Sequence, residues 1–264
     1  MSKGRMFADN EIDIIEQLQI LNDAEICFPI ESEKAVSVLN KIKAKKNWAK
    51  WVDNSKNTNN PPDFYCDSFK LMMDIMRVND TERSNRRGKL YNPSMKHERD
   101  IYNEIERSGL LAAAPNAKVT IIGNTGLPTE EDHNFALYSN NYKRVISEHI
   151  DSISSYKQNH PGYEIIFVVF DESTAYFETK NQTDDTSIVE QSVPGRPHLF
   201  FIDEELLKCF YDKGIDYLLW LTPYKLLKTS QGFFPLPQLT VYDLHKPRPS
   251  TINYDLNKMR SSEL

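Results

Sequence analysis

The segment Tyr163 to Ser173, YEIIFVVFDES, limits the fold more tightly than any other stretch of the chain. It follows Pro161 and Gly162, which punctuate the backbone, and it runs from Ile165 to Phe170 without one polar residue. A strand with one face in water alternates apolar and polar positions. A strand without alternation is buried on both faces, which requires a sheet with helical layers above and below it. The sequence therefore predicts an α/β protein in which a mixed central sheet is flanked by helices.

The remaining pattern supplies those layers. Residues 9–22 form a helical stripe with Asp9 or Asn10 as cap, and Ser32 caps a second helix that carries apolar positions as far as Trp48 and Trp51. Ser94 starts a helix that ends before Gly109, and KVTII at 118–122 reads as a short strand. The longest helix begins at Thr129 or Asp132 and repeats Phe135, Tyr138, Tyr142, Val145, His149, Ile153 and Tyr156 as far as Asn159. HLFFI at 198–202, IDYLLWLTPY and QLTVYDL read as further strands, with a helix capped by Asp203 between the first two. These elements predict one domain over 1–245, with inserted loops at about 79–93 and 180–197, and a loosely held tail over 246–264.

Hydrophobic residues make up 39% and charged residues 27%, and no apolar run reaches the length of a membrane helix. With no apolar signal core near Met1, the expected location is the cytoplasm, without a membrane partner. Three widely spaced cysteines, Cys27, Cys66 and Cys209, suit neither a disulfide framework nor a zinc site and read as reduced. Net charge is −6, but Lys34 to Arg99 holds 15 Lys and Arg against 7 Asp and Glu. That local excess nominates nucleic acid as a partner, with Lys43, Lys46, Arg83, Arg86, Arg87 and Lys89 as candidate contacts. The same charges also fit a solvated helix face and loop.

The basic segment surrounds PPDFYCDSFKLMMDIMRVND, Pro61 to Asp80. Its apolar residues fall on both faces and fit a helix as well as a hairpin. As a hairpin with a two-residue turn at Ser68 and Phe69, it places Asp63 directly across from Asp74. Facing carboxylates repel, and a hard divalent cation would offset that repulsion. The proline–aspartate step at Pro62–Asp63, with Asp74 eleven residues later, resembles the PD-(D/E)XK, or restriction-endonuclease-like, superfamily of metal-dependent nucleases over roughly residues 9–122.

That resemblance implies a restriction-endonuclease-like core and a magnesium or manganese ion held by Asp63 and Asp74, with Glu16 of the first helix completing the shell. The activity it implies is phosphodiester hydrolysis. The family's lysine, two residues after the second acid, is replaced by Met76, leaving Lys70 to substitute from the same strand face. A fold that keeps the core without the activity, binding nucleic acid or protein, is the alternative.

A third reading is a nucleotide-binding regulator. FVVFDE is similar to a Walker B strand ending in Asp171 and Glu172, although the nearest glycine loop, GNTG at Gly123 to Gly126, lacks the following Lys-Ser or Lys-Thr. Six histidines show no metal-ligand spacing, and His149, inside the helical stripe, reads as a packed core residue.

Overall fold

In a computed structural model of the chain, the described residues are 10–56, 61–84, 90–92, 95–113, 133–179, 195–229 and 232–262. The expected strand at 118–122, the glycine loop at 123–126, the caps Thr129 and Asp132, and Arg86, Arg87 and Lys89 lie outside them. The strands are β1 Ile26–Cys27, β2 Val52–Asp53, β3 Phe64–Cys66, β4 Leu71–Val78, β5 Arg83–Ser84, β6 Leu90–Tyr91 and β7 Glu164–Asp171. They continue as β8 Tyr176–Thr179, β9 Gly195–Pro197, β10 Tyr217–Leu221, β11 Leu226–Thr229, β12 Gly232–Pro235, β13 Leu239–Asp243 and β14 Met259–Ser261. The α-helices are α1 Glu11–Ile20, α2 Glu33–Lys43, α3 Lys45–Trp48, α4 Met95–Ser108, α5 Leu110–Ala113, α6 Phe135–Asp151, α7 Ile153–Asn159 and α8 Glu204–Leu207.

Seven strands form the main sheet in the order β1-β13-β10-β7-β4-β3-β2. The expected central strand, β7, runs parallel to β4 on one side and to β10 on the other. Its residues divide between two cores. Ile165, Phe167 and Val169 pack with Tyr138, Tyr142 and Tyr156 of α6 and α7, while Ile166, Val168 and Phe170 pack with Ile14, Leu18 and Leu39 of α1 and α2. This two-sided burial is what the unalternated apolar run encodes. The α/β class with a mixed sheet is the observed one.

Local chemistry sets the helix starts. Asn10 and Asp13 form a capping box on α1, and the Ser32 hydroxyl accepts from Ala35 N–H at 3.2 Å on α2. The long helix starts instead at Asn134, whose side chain accepts from Leu137 N–H, and it is interrupted at Ser152. HLFFI is not a strand. Residues 200–202 form a 3₁₀ turn that buries Phe200 against Trp220, because four consecutive apolar residues specify burial without specifying a period. The segment after residue 245 is not loose either: β14 pairs with β8, Ile252 bridges Asp203, and the Tyr254 hydroxyl donates to Pro197 O and accepts from Leu199 N–H.

One polar knot fastens the sheet at the β10 start. His245 lies 2.8 Å from Asp243 through Nδ1 and 2.9 Å from Asp216 through Nε2. Asp243 also accepts from Ser32, and Asp216 accepts from Ile165 N–H. The bond to Asp243 raises the His245 pKa despite partial burial, and Asp216 adds to the effect. A histidine raised in the fold contributes stability below its unfolded pKa, near 6.5, and loses it as pH rises through the folded value. The Tm advantage of the natural protein over His245→Asn is therefore expected to be full below about pH 6 and to shrink as pH rises past about 6.5. Half-exposure of the ring keeps the effect small; a pH-independent difference between the two proteins contradicts it.

Candidate functional site

The segment 61–80 is a hairpin. Phe64 pairs with Met73, Tyr65 with Met72 and Cys66 with Leu71, so the next pair outward is Asp63 and Asp74. The connection is Asp67–Lys70, four residues instead of two, closed by Phe69 N–H donating to Cys66 O at 3.2 Å. Lys70 takes a left-handed conformation there, with φ 53°.

Asp74 is buried and points toward α6 and α7. Its Oδ2 accepts from the Tyr156 hydroxyl at 2.7 Å and makes a short contact with His149 Nδ1. Asp63 Oδ2 accepts from Ile75 N–H at 2.8 Å. Among the described residues, Oδ1 of neither carboxylate takes a hydrogen bond. Burial first, and the facing Asp74 second, push the Asp63 carboxyl up to about 7. Burial alone would lower the His149 pKa, but the bond and charge of Asp74 raise it. The His149 side chain is 29% exposed, so it closes the Asp74 side of the pair while its outer edge meets solvent.

The other predicted members do not gather there. Lys70 sits in the turn, with its ammonium 4.7 Å from the Tyr163 ring centre. Four residues of strand at about 3.3 Å each put it roughly 13 Å from Asp74. Met76, at the family's lysine position, is 1% exposed and part of the α6-side core. Glu16 is exposed on α1, beside an open groove of about 630 Å³ that Lys45 and Trp48 also line. The α1 acid whose charge reaches Asp63 is Glu11, one and a half turns earlier.

Lys43 is tied to the end of α1, donating to Leu21 O at 2.7 Å and lying 3.5 Å from Asp23. Lys46 is exposed on α3, and Arg83 lies in the β5–β6 ribbon beyond the far end of β4. His149 and Tyr156 were not legible as site residues. Their signal is a spacing of seven on one helical face, where each brings a polar atom into an apolar stripe.

A second polar cluster lies at the carboxyl ends of β4, β7 and β10. Asp171, at the end of the Walker B-like strand, is fully buried. Its Oδ2 accepts from Tyr138 at 2.8 Å and Trp220 at 3.1 Å, and its Oδ1 accepts from Ser173 N–H and hydroxyl. Lys225 Nζ stands 3.3 Å from Asp171 and donates to Ser173 Oγ and Thr174 O. Glu172 pairs with Arg77. These bonds tie the ends of β4, β7 and β10 to the segments that follow them.

Asp63 and Asp74 bring two carboxylates together, fewer side chains than a closed metal cage uses. Carboxylate oxygens are hard donors, and among the described residues no group of three or more His, Cys, Asp or Glu side chains is arranged around a common metal position. No helix among the described residues is long and apolar enough to cross a membrane. No protein-family model, curated protein or solved structure matches the chain.

Proposed function

We propose that Asp63 and Asp74 hold one magnesium or manganese ion in a nuclease-like protein that binds nucleic acid and acts on its phosphodiester backbone. The observation that carries this reading is the pairing of the two carboxylates across the hairpin, where burial first and the charge of Asp74 second push Asp63 up to about 7. A cation between them removes that repulsion, and magnesium characteristically uses one or two carboxylates and fills its remaining positions with water and substrate phosphate. When bound, the ion supplies charge for the phosphate and an ordered water.

The chain's own residues then divide the work. Asp63 is fixed by Ile75 N–H, and Asp74 by Tyr156 and His149. With Nδ1 engaged, His149 exchanges protons through Nε2, a basic function beside the pair in place of the missing lysine. Glu11 adds negative charge from α1.

A melt with and without millimolar manganese tests this reading. Because a proton competes with the cation for Asp63, the rise in Tm is expected to be larger at about pH 8 than at about pH 6. Without the metal the sign reverses: a carboxyl raised in the fold costs stability as pH climbs from its unfolded value, near 4, through 7. No manganese shift at either pH removes the proposal.

One observation favours a second reading, a non-catalytic interaction protein. Asp74 takes bonds from both α6 and α7, so it also pins two helices to β4. On that reading, manganese leaves the melt unchanged.

A further inference from the structure

We infer that the hairpin turn Asp67–Lys70 and its surroundings bind unpaired nucleic acid, with a base stacked on Phe69 and the flanking phosphates held by Lys41 and Lys50. This rests on the nuclease-like reading above and adds to it where the substrate is gripped and that its bases are unpaired. Lys41 comes from α2 and Lys50 from the segment after α3, yet their ammonium groups stand 5.4 and 5.0 Å from the centre of the same half-buried ring.

Two like charges are thus drawn to one ring, and neither has a carboxylate partner among the described residues. Cation–π attraction accounts for one such contact at a time, while the mutual repulsion of the pair remains. An anion on each side of a flat group relieves it. Around the same turn the alternation of charge and ring continues: Lys70 covers Tyr163, and His160 lies 5.2 Å from Tyr163 and 4.2 Å from Tyr65. The acid within this surface, Asp67, is occupied by the Tyr163 hydroxyl.

A partner that alternates anions with flat rings is single-stranded DNA or RNA, whose bases present open π-faces. A duplex hides those faces in its stack, and an acidic peptide supplies charge without them. Tyr65 and Tyr163 pack on the α6–α7 face that carries Asp74, and Phe69 packs on the α1–α2 face, so the turn Asp67–Lys70 lies between the two.

The test is fluorescence anisotropy of the full chain with a labelled oligothymidine of about ten nucleotides, a duplex of equal length and polyglutamate, each titrated at two salt concentrations. The single strand is expected to bind about tenfold more tightly than the duplex, with polyglutamate weaker still. Phe69→Leu is expected to lose about tenfold on the single strand and little on the duplex, whereas Phe69→Trp keeps the affinity. The Lys41→Gln/Lys50→Gln pair lowers the slope of log K against log salt by about 1.4.

Equal binding of duplex or polyglutamate, or an unchanged Kd in Phe69→Leu, overturns the inference. Phe69→Trp keeps it testable if the leucine variant unfolds, because loss of binding by a folded tryptophan variant also overturns it. The manganese melt is read on the same protein. A metal shift without strand binding rejects this surface alone, and strand binding without a metal shift rejects the cation site.

Discussion

Lys225→Met is expected to destabilise the protein by about 3–5 kcal/mol, read as a lower urea midpoint at unchanged slope. The ammonium is buried at the carboxyl end of the parallel strands, with its side chain 1% exposed and 3.3 Å from an Asp171 side chain that is not exposed at all. Burial pulls its pKa below the usual lysine range, and Asp171 and Asp80 pull it back. Methionine fills much the same volume and retains contact with Tyr138 and Phe200, whose ring centres lie 4.8 and 5.3 Å from Nζ. What it removes is the positive charge, and Asp171 would then sit buried with only neutral donors. Adding Asp171→Asn should recover part of the loss, because the second change removes the stranded charge. A cost below about 1 kcal/mol for Lys225→Met would show that the ion pair adds nothing net.

Asp74→Asn is expected to abolish both the manganese-dependent rise in Tm and any cleavage of nucleic acid. At a metal concentration a hundredfold above Kd, the lost linkage amounts to about 2.7 kcal/mol. The metal-free variant should stay within about 1–2 kcal/mol of the natural protein. Asparagine still offers an oxygen to Tyr156 and His149, so the helix contacts weaken without disappearing. Asp63, no longer facing a charge, should titrate below the value of about 7 it has now. That separates loss of the cation from loss of the fold: a manganese response that survives Asp74→Asn would reject the pair as its site.

How far the sequence was legible depended on whether one residue type had one physical solution. The run from Ile165 to Phe170 could bury itself only inside a sheet, and its place at the centre followed. The hairpin register was readable because a four-residue connection gives the same pairing as the two-residue turn assumed for it. Lys70 was misplaced for the same reason, since those two extra residues moved it from the strand into the turn.

Glu11 and Glu16 lie on one short helix, and which of them approaches Asp63 depends on how α1 rotates against the sheet. Rotation is set by packing partners more than two hundred residues apart in sequence, among them Leu18 and Val241. His149 looked like core because its spacing is a core spacing; its partner, Asp74, lies 75 residues away. Asp171 was legible only as the end of a Walker B-like strand, and the fold shows that it is enclosed with Lys225.

The main sheet joins the first and last of its strands in chain order: β1 pairs with β13 through Ile26 and Leu239, and Gln238 N–H donates to Glu25 O. During synthesis, which runs from the N-terminus, β1 has no partner strand until residue 239 has been made. The surface that receives α1 and α2 is likewise incomplete until β7, β10 and β13 exist, because those helices pack on residues from all three. Ile14, Leu18 and Leu39 lack their full packing surface until those strands are made, and exposed apolar surface of that kind invites aggregation. This topology makes closure of the main sheet a long-range step, whose loop entropy must be met before the contacts reward it.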